Sequence, residues 1–396
     1  MAAAGGGDAE AEEASAFGHA PVPADVCLPY GPHPDQVVDL YAPRGGTGPA
    51  PLVVLLHGGA WRAPYDRHHV SPLAARLAGY GFAVASVEYR RGPGPTDRGS
   101  RTDGAPGEDI SVTDDLPAPG ESGTGNGNGS TGAAQAGSPP GAVPRAGRWP
   151  ETFDDVALAV DRLPALIGRV QAGEGRSAVR GIPQGDPAWA RVDPACTVLT
   201  GHSAGGHLAL WAAARHRLPV GSRWHCAGPP GTGGCSPPPF RGVVALAPIA
   251  DFTTARRLGV CSDAAVQLLG GPEEWPARLP YADNAALLPT GVRTTVVQGA
   301  TDADVPPDVA RAFVAAAERA GQPVRLVLLD GVGHFPLIDP AAPAVAVVAD
   351  EIARLAGREP GRDSCPGPGP GRDRDSEPGR HSGREPAHQP GSEPGH

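Results

Sequence analysis

Lysine is absent from this 396-residue chain, methionine occurs once, and Phe, Trp and Tyr together make up 5% of it. Every fixed positive charge is therefore an arginine, and 33 basic against 43 acidic residues leave a net charge of −10 at pH 7. Nucleic-acid binding relies on a dense cationic patch facing phosphates, so no nucleic-acid partner is expected. The lack of lysine accompanies an excess of Ala, Gly and Pro, the signature of GC-rich codons, and asks for no functional explanation. No run approaches 18 apolar residues, so neither a membrane span nor a membrane partner is expected. The first residues are acidic and lack the basic and apolar regions of a secretion signal, which predicts a cytoplasmic protein. The six cysteines (27, 196, 226, 235, 261 and 365) include no Cys-x-x-Cys and suit reduced thiols. Cys226 and Cys235, bracketing a Gly/Pro loop, are the one pair placed to join under oxidation. His68 and His69 read as a surface pair without a third ligand at metal spacing, so no metal and no cofactor is expected.

What the chain has in excess is glycine (57) and proline (48), more than a quarter of its length. These residues gather in blocks that bury too little apolar surface to offset the entropy of ordering. The predicted organisation is a disordered segment over 1–26, one α/β domain over 27–356, and a disordered tail over 357–396. The domain carries a low-complexity insertion at about 92–147. It reads as a spacer, tolerated because loop-closure entropy grows only logarithmically with length. A lid over a pocket is the alternative reading.

Elsewhere the pattern alternates strand and helix. Strands are predicted at 36–41, 51–56, 82–87, 196–200, 242–246, 293–298 and 324–329. Helices are predicted at 70–77, 153–170 with a kink at Pro164, 204–214, 308–320 and 342–355, with helical patches at 264–269 and 284–288. The run 51–56 is apolar throughout, as in a strand buried on both faces. Such alternation predicts a mostly parallel central sheet with helices on both faces.

One stretch points to chemistry. The β-branched run 196–200 leads into Gly201, Ser203 and Gly205, spaced Gly-x-Ser-x-Gly. Ala204, His207, Leu208 and Trp211 then follow at i, i+3, i+4 and i+7, one helical face. In a chain this rich in glycine the bare pentad arises readily by chance, so the flanking strand and helix carry the argument. A serine at such a sharp turn is exposed as a nucleophile, and the glycines make room for the turn.

Serine needs a base, and the base needs an orienting group. The strand at 293–298 runs into Asp302, three residues past the turn glycine Gly299, with Asp304 as competitor. The strand at 324–329 runs into His334, preceded by Gly331 and Gly333, which suggest close backbone approach. Asp251 is an outside candidate for the acid, more in keeping with a structural role. His57, Gly58, Gly59, Ala60 and Trp61 follow the buried strand 51–56 and can present bare peptide donors. The expected oxyanion donors are the N–H groups of Gly58, Gly59 and Ala204. His57 is read as a brace of that loop rather than a second base. Trp61 is read as core packing or as a wall of the substrate pocket. His202 and His207 are assigned no role.

The HGGAW segment at 57–61, the strand end at 88–91, Trp149-Pro leading into 153–156, the GHSAGG run at 201–206, the Gly-x-x-Asp-x-x-Val-Pro run at 299–306 and Gly333-His334-Phe335 together resemble the α/β-hydrolases of the kynurenine formamidase and small carboxylesterase group. The resemblance implies the α/β-hydrolase fold and a cofactor-free serine hydrolase that works through an acyl-enzyme on a small ester or formamide. It points first to arylformamidase action on N-formylkynurenine, with a carboxylesterase for short-chain acyl esters as the alternative. A catalytically silent binding protein on the same fold is the third reading. Two positions depart from the group: Gln298 replaces a common His, and Asp283-Asn-Ala a common Ser-Pro. Both lie outside the triad and bear on pocket detail.

Overall fold

Eight strands make one sheet in the computed structural model, which describes residues 6–93, 145–173, 187–226 and 240–358. They are β1 (Val26–Pro29), β2 (Val37–Tyr41), β3 (Ala50–Leu56), β4 (Ala83–Val87), β5 (Val192–His202), β6 (Phe240–Leu246), β7 (Thr294–Gly299) and β8 (Val324–Leu329), in the order β1-β2-β4-β3-β5-β6-β7-β8. β2 runs antiparallel to both β1 and β4, and all other neighbours are parallel. The helices are α1 (Gly6–Phe17), α2 (Ser71–Gly79), α3 (Glu151–Gln171), α4 (Pro187–Ala190), α5 (Ala204–Ala214), α6 (Phe252–Leu258), α7 (Ala264–Leu268), α8 (Trp275–Ala282), α9 (Pro307–Arg319) and α10 (Ala344–Ala356).

The apolar run of β3 does what such a run must do in a doubly covered sheet. Leu52, Val54 and Leu56 enter one core, with Phe153 and Ile167 of α3, Trp211 of α5 and Phe313 of α9. Val53 and Leu55 enter the other, with Leu73 and Leu77 of α2 and Val345, Val348 and Ile352 of α10. Each such side chain contributes about 1.5–3 kcal/mol on burial. The chain leaves β3 for α2 on one face and leaves β5 for α5 on the other. The carboxyl ends of β3 and β5 therefore flank the crevice where strand order reverses, the usual place for a ligand in an open α/β sheet.

Several expectations need correction. Residues 1–26 were expected to be disordered, yet α1 is helical over 6–17 and Val26 begins β1. Ala16 is buried and Val22 donates its N–H to the Ser71 hydroxyl at 2.9 Å, so tertiary contacts supply what the polar composition hides. α3 runs unbroken through Pro164. α5 is buried at every position rather than on one face, because its small residues let it lie closely between the sheet and α3. β5 is longer than predicted and shifts register against β3 around a segment where Pro194 has no N–H to offer, and against β6 where Arg241 is passed over.

Most of the 92–147 insertion, Cys235, Cys365 and all of the tail beyond Arg358 lie outside the described residues. The described ends of the insertion converge, since Gly92 and Gly147 both donate backbone N–H groups to the Trp61 carbonyl. Among the described residues no helix is long and apolar enough to cross a membrane, and no group of three or more His, Cys, Asp or Glu is placed to hold a metal.

Candidate active site

Four loops at the carboxyl ends of parallel strands converge: 57–61 after β3, Ser203 after β5, Asp302 after β7 and His334 after β8. Ser203 occupies the apex of the turn into α5 with φ 57° and ψ −116°, a left-handed φ that a serine adopts only when its surroundings enforce it. Its N–H is tied to the Leu246 carbonyl at 2.8 Å. The pentad glycines are needed for proximity. A Cβ on Gly201 would meet the Gly205 carbonyl, and one on Gly205 would meet the carbonyls of Leu56 and His57. These obstacles are backbone and cannot swing aside. Gly205→Ala is accordingly expected to destabilise by about 1–3 kcal/mol or more through overpacking, read as a lower melting temperature. An unchanged melting temperature would show that the elbow has slack.

His334 and Asp302 are brought together, with Nδ1 of the imidazole 2.7 Å from Oδ2 of the carboxylate. Both residues are buried. The other oxygen, Oδ1, accepts N–H groups from Asp304 (3.0 Å) and Val305 (2.8 Å), which fixes the carboxylate plane. Asp304, the competitor, is exposed and points its backbone rather than its side chain at this network. Asp251 caps α6 by accepting the Thr254 N–H at 2.6 Å, a structural role. Burial pulls the His334 pKa down, but the charge and hydrogen bond of Asp302, with help from Asp304 and Glu12, outweigh it and raise the pKa above the ordinary imidazole value.

Ser203 and His334 line one cleft, of about 470 Å³ including its open mouth, together with Gly59, Ala60, Arg62, Tyr65, His69, His202, Cys261 and Asp304. Phe17, Phe335 and Ile338 complete it. Gly59 has φ 97°, and a Cβ there would strike the Tyr65 side chain, so glycine is required twice over. Gly58 lies against His202 and the Ser203 Cβ, and Ala204 is fully buried beneath the serine.

The 57–61 loop is braced by His57, as anticipated. His57 lies with Nε2 2.8 Å from Glu88 and Nδ1 2.9 Å from the Gly58 carbonyl, stacked on Tyr89 at 4.2 Å. The Tyr89 hydroxyl donates to the His57 carbonyl at 2.6 Å. Burial pushes the Glu88 carboxyl up, but His57, Arg91 and the Tyr89 N–H more than offset it and hold its pKa at about 2.

Of the two readings of Trp61, core packing is the one found and the pocket wall is not: the left-handed turn at Ala60 and Trp61 (φ 51° and 53°) sends its indole into the core, edge-on to His207 and Phe252. One assignment is overturned. His69 is no surface residue but lines the cleft, and burial pushes its pKa down to about 3, so it is neutral. His68 alone faces solvent, beside Asp66.

Three supporting residues escaped the motif reading. His202, kept neutral by burial and by the neighbouring His334, lies with Nε2 3.0 Å from the His334 carbonyl and orients that loop. Gln298 donates its amide to Asp302 Oδ2 at 2.9 Å and to the Val305 carbonyl at 3.2 Å, so this departure touches the acid itself. Glu12 of α1 accepts the N–H of Gly333 at 2.9 Å. His207, by contrast, is a core histidine that donates to the Ala282 carbonyl at 2.8 Å. Asp283 and Asn284 serve α6 and α5, Asp283 accepting the Phe252 N–H and Asn284 donating to the His207 carbonyl.

Sheet order, strand direction and the loops that converge at the crevice are those of the α/β-hydrolase fold. Solved structures of the same fold bear this out. A truncated carbohydrate esterase from gut microbiota superposes with a TM-score of 0.55 at 16% identity, covering 86% of this chain and all of that one. Esterase B from Lactobacillus rhamnosis gives 0.55 at 18% identity over 89% and 92% of the two chains. The BD-FAE family profile matches residues 38–94, the stretch that holds β3, the 57–61 loop and β4. Among curated proteins, a probable isoprenylcysteine alpha-carbonyl methylesterase of Arabidopsis thaliana is 39% identical over 64 residues, 16% of this chain and 13% of that protein. One of Oryza sativa is 41% identical over 64 residues, 16% and 15% of the two chains. The matched stretch spans about one seventh of these relatives.

Proposed function

We propose that this protein is a serine carboxylesterase that hydrolyses small acyl esters through an acyl-enzyme on Ser203. The observation that carries the reading is the buried His334–Asp302 pair, at 2.7 Å, opening onto the same cleft as Ser203. Asp302 holds His334 with Nδ1 protonated, which leaves Nε2 as the atom that takes the serine proton. Ser203 Oγ then attacks the ester carbonyl. The N–H groups of Gly58, Gly59 and Ala204 receive the oxyanion, and His334 returns the proton to the departing alcohol. Water repeats the sequence to release the acid. The substrate partner is thus a small ester, and no step asks for a cofactor.

Esters take precedence over formamides for one reason. The relatives and neighbours named above carry the word esterase in their descriptions. Rates on p-nitrophenyl acetate, p-nitrophenyl butyrate and N-formylkynurenine decide the matter. kcat/KM on the esters is expected to exceed that on the formamide by about tenfold or more. The reverse order would restore the arylformamidase assignment.

A further inference from the structure

Resting on the esterase reading above, we propose that Phe17, Phe335 and Tyr65 form a subsite for an aromatic leaving group, which makes helix α1 part of the active site. His334 must hand a proton to the departing oxygen, so the alcohol portion of the substrate lies on the His334 side of the cleft. Phe335 stands there, 5.1 Å from the imidazole and edge-on to it. Phe17 packs on Phe335 at 5.5 Å, on His69 at 5.5 Å and on Tyr65 at 6.0 Å. Ile338, buried, completes this apolar end. The rest of the lining is small or polar: Gly59, Ala60, Arg62, Cys261 and Asp304. An ester with a flat apolar alcohol matches the ring cluster beside His334.

Phe17 is held there by specific contacts. Its helix is fastened to the His334 loop from Glu12, whose carboxylate accepts the Gly333 N–H at 2.9 Å. Ser15 donates its hydroxyl to Asp339 Oδ2 at 2.5 Å, and His19 Nε2 lies 2.8 Å from Asp339 Oδ1. Ala16 is buried beside them. Asp339 is itself fixed by the Ala341 N–H at 2.9 Å. The arm that carries the aromatic ring thus clasps the loop that carries the base. Half-exposed rings at 5–6 Å spacing favour a further ring edge-to-face or offset between them.

The test compares Phe17→Ala and Phe17→Leu with the wild type on 1-naphthyl, phenyl and ethyl acetates, which share an acyl group, and on p-nitrophenyl acetate and butyrate, which share a leaving group. Intrinsic ester reactivity cancels in each ratio of variant to wild type. Phe17→Ala is expected to lower kcat/KM about fivefold or more for 1-naphthyl acetate and less than about twofold for ethyl acetate, with equal penalties on the two p-nitrophenyl esters. Phe17→Leu, which keeps apolar volume for folding, should fall between. Equal penalties across the alcohols, or a penalty that grows from acetate to butyrate, would overturn the subsite. Binding of 1-naphthol, followed by its own fluorescence, needs no turnover and is expected to weaken about fivefold in Phe17→Ala. Unchanged 1-naphthol binding would overturn the subsite whatever the esters do. A wild type that binds 1-naphthol through Phe17 but hydrolyses no ester would support the subsite and overturn the hydrolase reading alone.

Discussion

Ser203→Ala is expected to lower ester turnover by about 10⁴-fold or more, the scale seen when a unit of a catalytic triad is removed, while the melting temperature stays the same. The nucleophile is the only source of a covalent intermediate in the proposed reaction, and neither Asp302 nor His334 can substitute for its oxygen. Alanine suits the site sterically because the turn is enforced from outside. The N–H of residue 203 is held by Leu246, its carbonyl accepts the Ile249 N–H at 3.3 Å, and the flanking glycines leave room for the backbones around them. The left-handed φ is equally unfavourable for serine and alanine, so strain does not distinguish the two. Two measurements are needed: kcat on p-nitrophenyl acetate, and labelling by a fluorophosphonate probe. Loss of both in the variant is the expected result. Near-normal turnover, or labelling at another residue, would remove Ser203 from its assigned role. A wild type that never reacts with the probe would favour a silent binding protein on this fold.

What could be read from the sequence and what could not divide along a physical line. The 201–206 elbow, the buried strand 51–56 and the loops holding Asp302 and His334 are legible because each depends on local spacing: a β-branched run, a glycine pair, a polar residue just past a strand end. The choice of Asp302 over Asp304 is also local, since the turn after Gly299 points the first inward. Contacts between residues far apart in sequence are another matter. The ring of His202 meets the carbonyl of His334 across 132 positions, and Glu12 meets Gly333 across 321. No periodicity signals either. α1 shows why composition misleads at a terminus: its glycines, alanines and acids lack an apolar stripe, and the helix is held by few side chains, each paired with a distant loop. Trp61 stays undecided in the sequence for a different reason. A motif places a residue along the chain, but two successive left-handed residues decide which way its side chain turns.

Asp302→Asn is expected to lower kcat by about 10⁴-fold, close to the effect of removing the nucleophile, because the carboxylate sets the tautomer of His334. Oδ2 faces two donors, the His334 Nδ1–H and the Gln298 amide, and Oδ1 faces two backbone N–H groups. An asparagine can satisfy one side only. Either its NH2 is pressed against the N–H groups of Asp304 and Val305, or it meets Nδ1 and forces the imidazole proton onto Nε2, where the base is needed. The pH dependence follows from the same contact. His334 must be neutral to act, and Asp302 raises its pKa, so activity rises with pH through a value above the ordinary imidazole pKa of about 6.5. Without the carboxylate, burial is opposed only by the smaller pull of Asp304 and Glu12, and the residual activity should rise at lower pH than in the wild type. Stability shows the complementary trend. A raised pKa stabilises the fold fully below the ordinary imidazole value, and that contribution fades as pH climbs through the raised one. Asp304→Asn is the control. Its carboxylate also helps raise the His334 pKa but is exposed, so a small shift of the pH profile in the same direction and a change in kcat of less than about threefold are expected. The decisive comparison is kcat against pH for the two variants side by side. A severe loss in Asp304→Asn with a mild one in Asp302→Asn would transfer the orienting role to Asp304, and with it the proposed geometry of proton transfer.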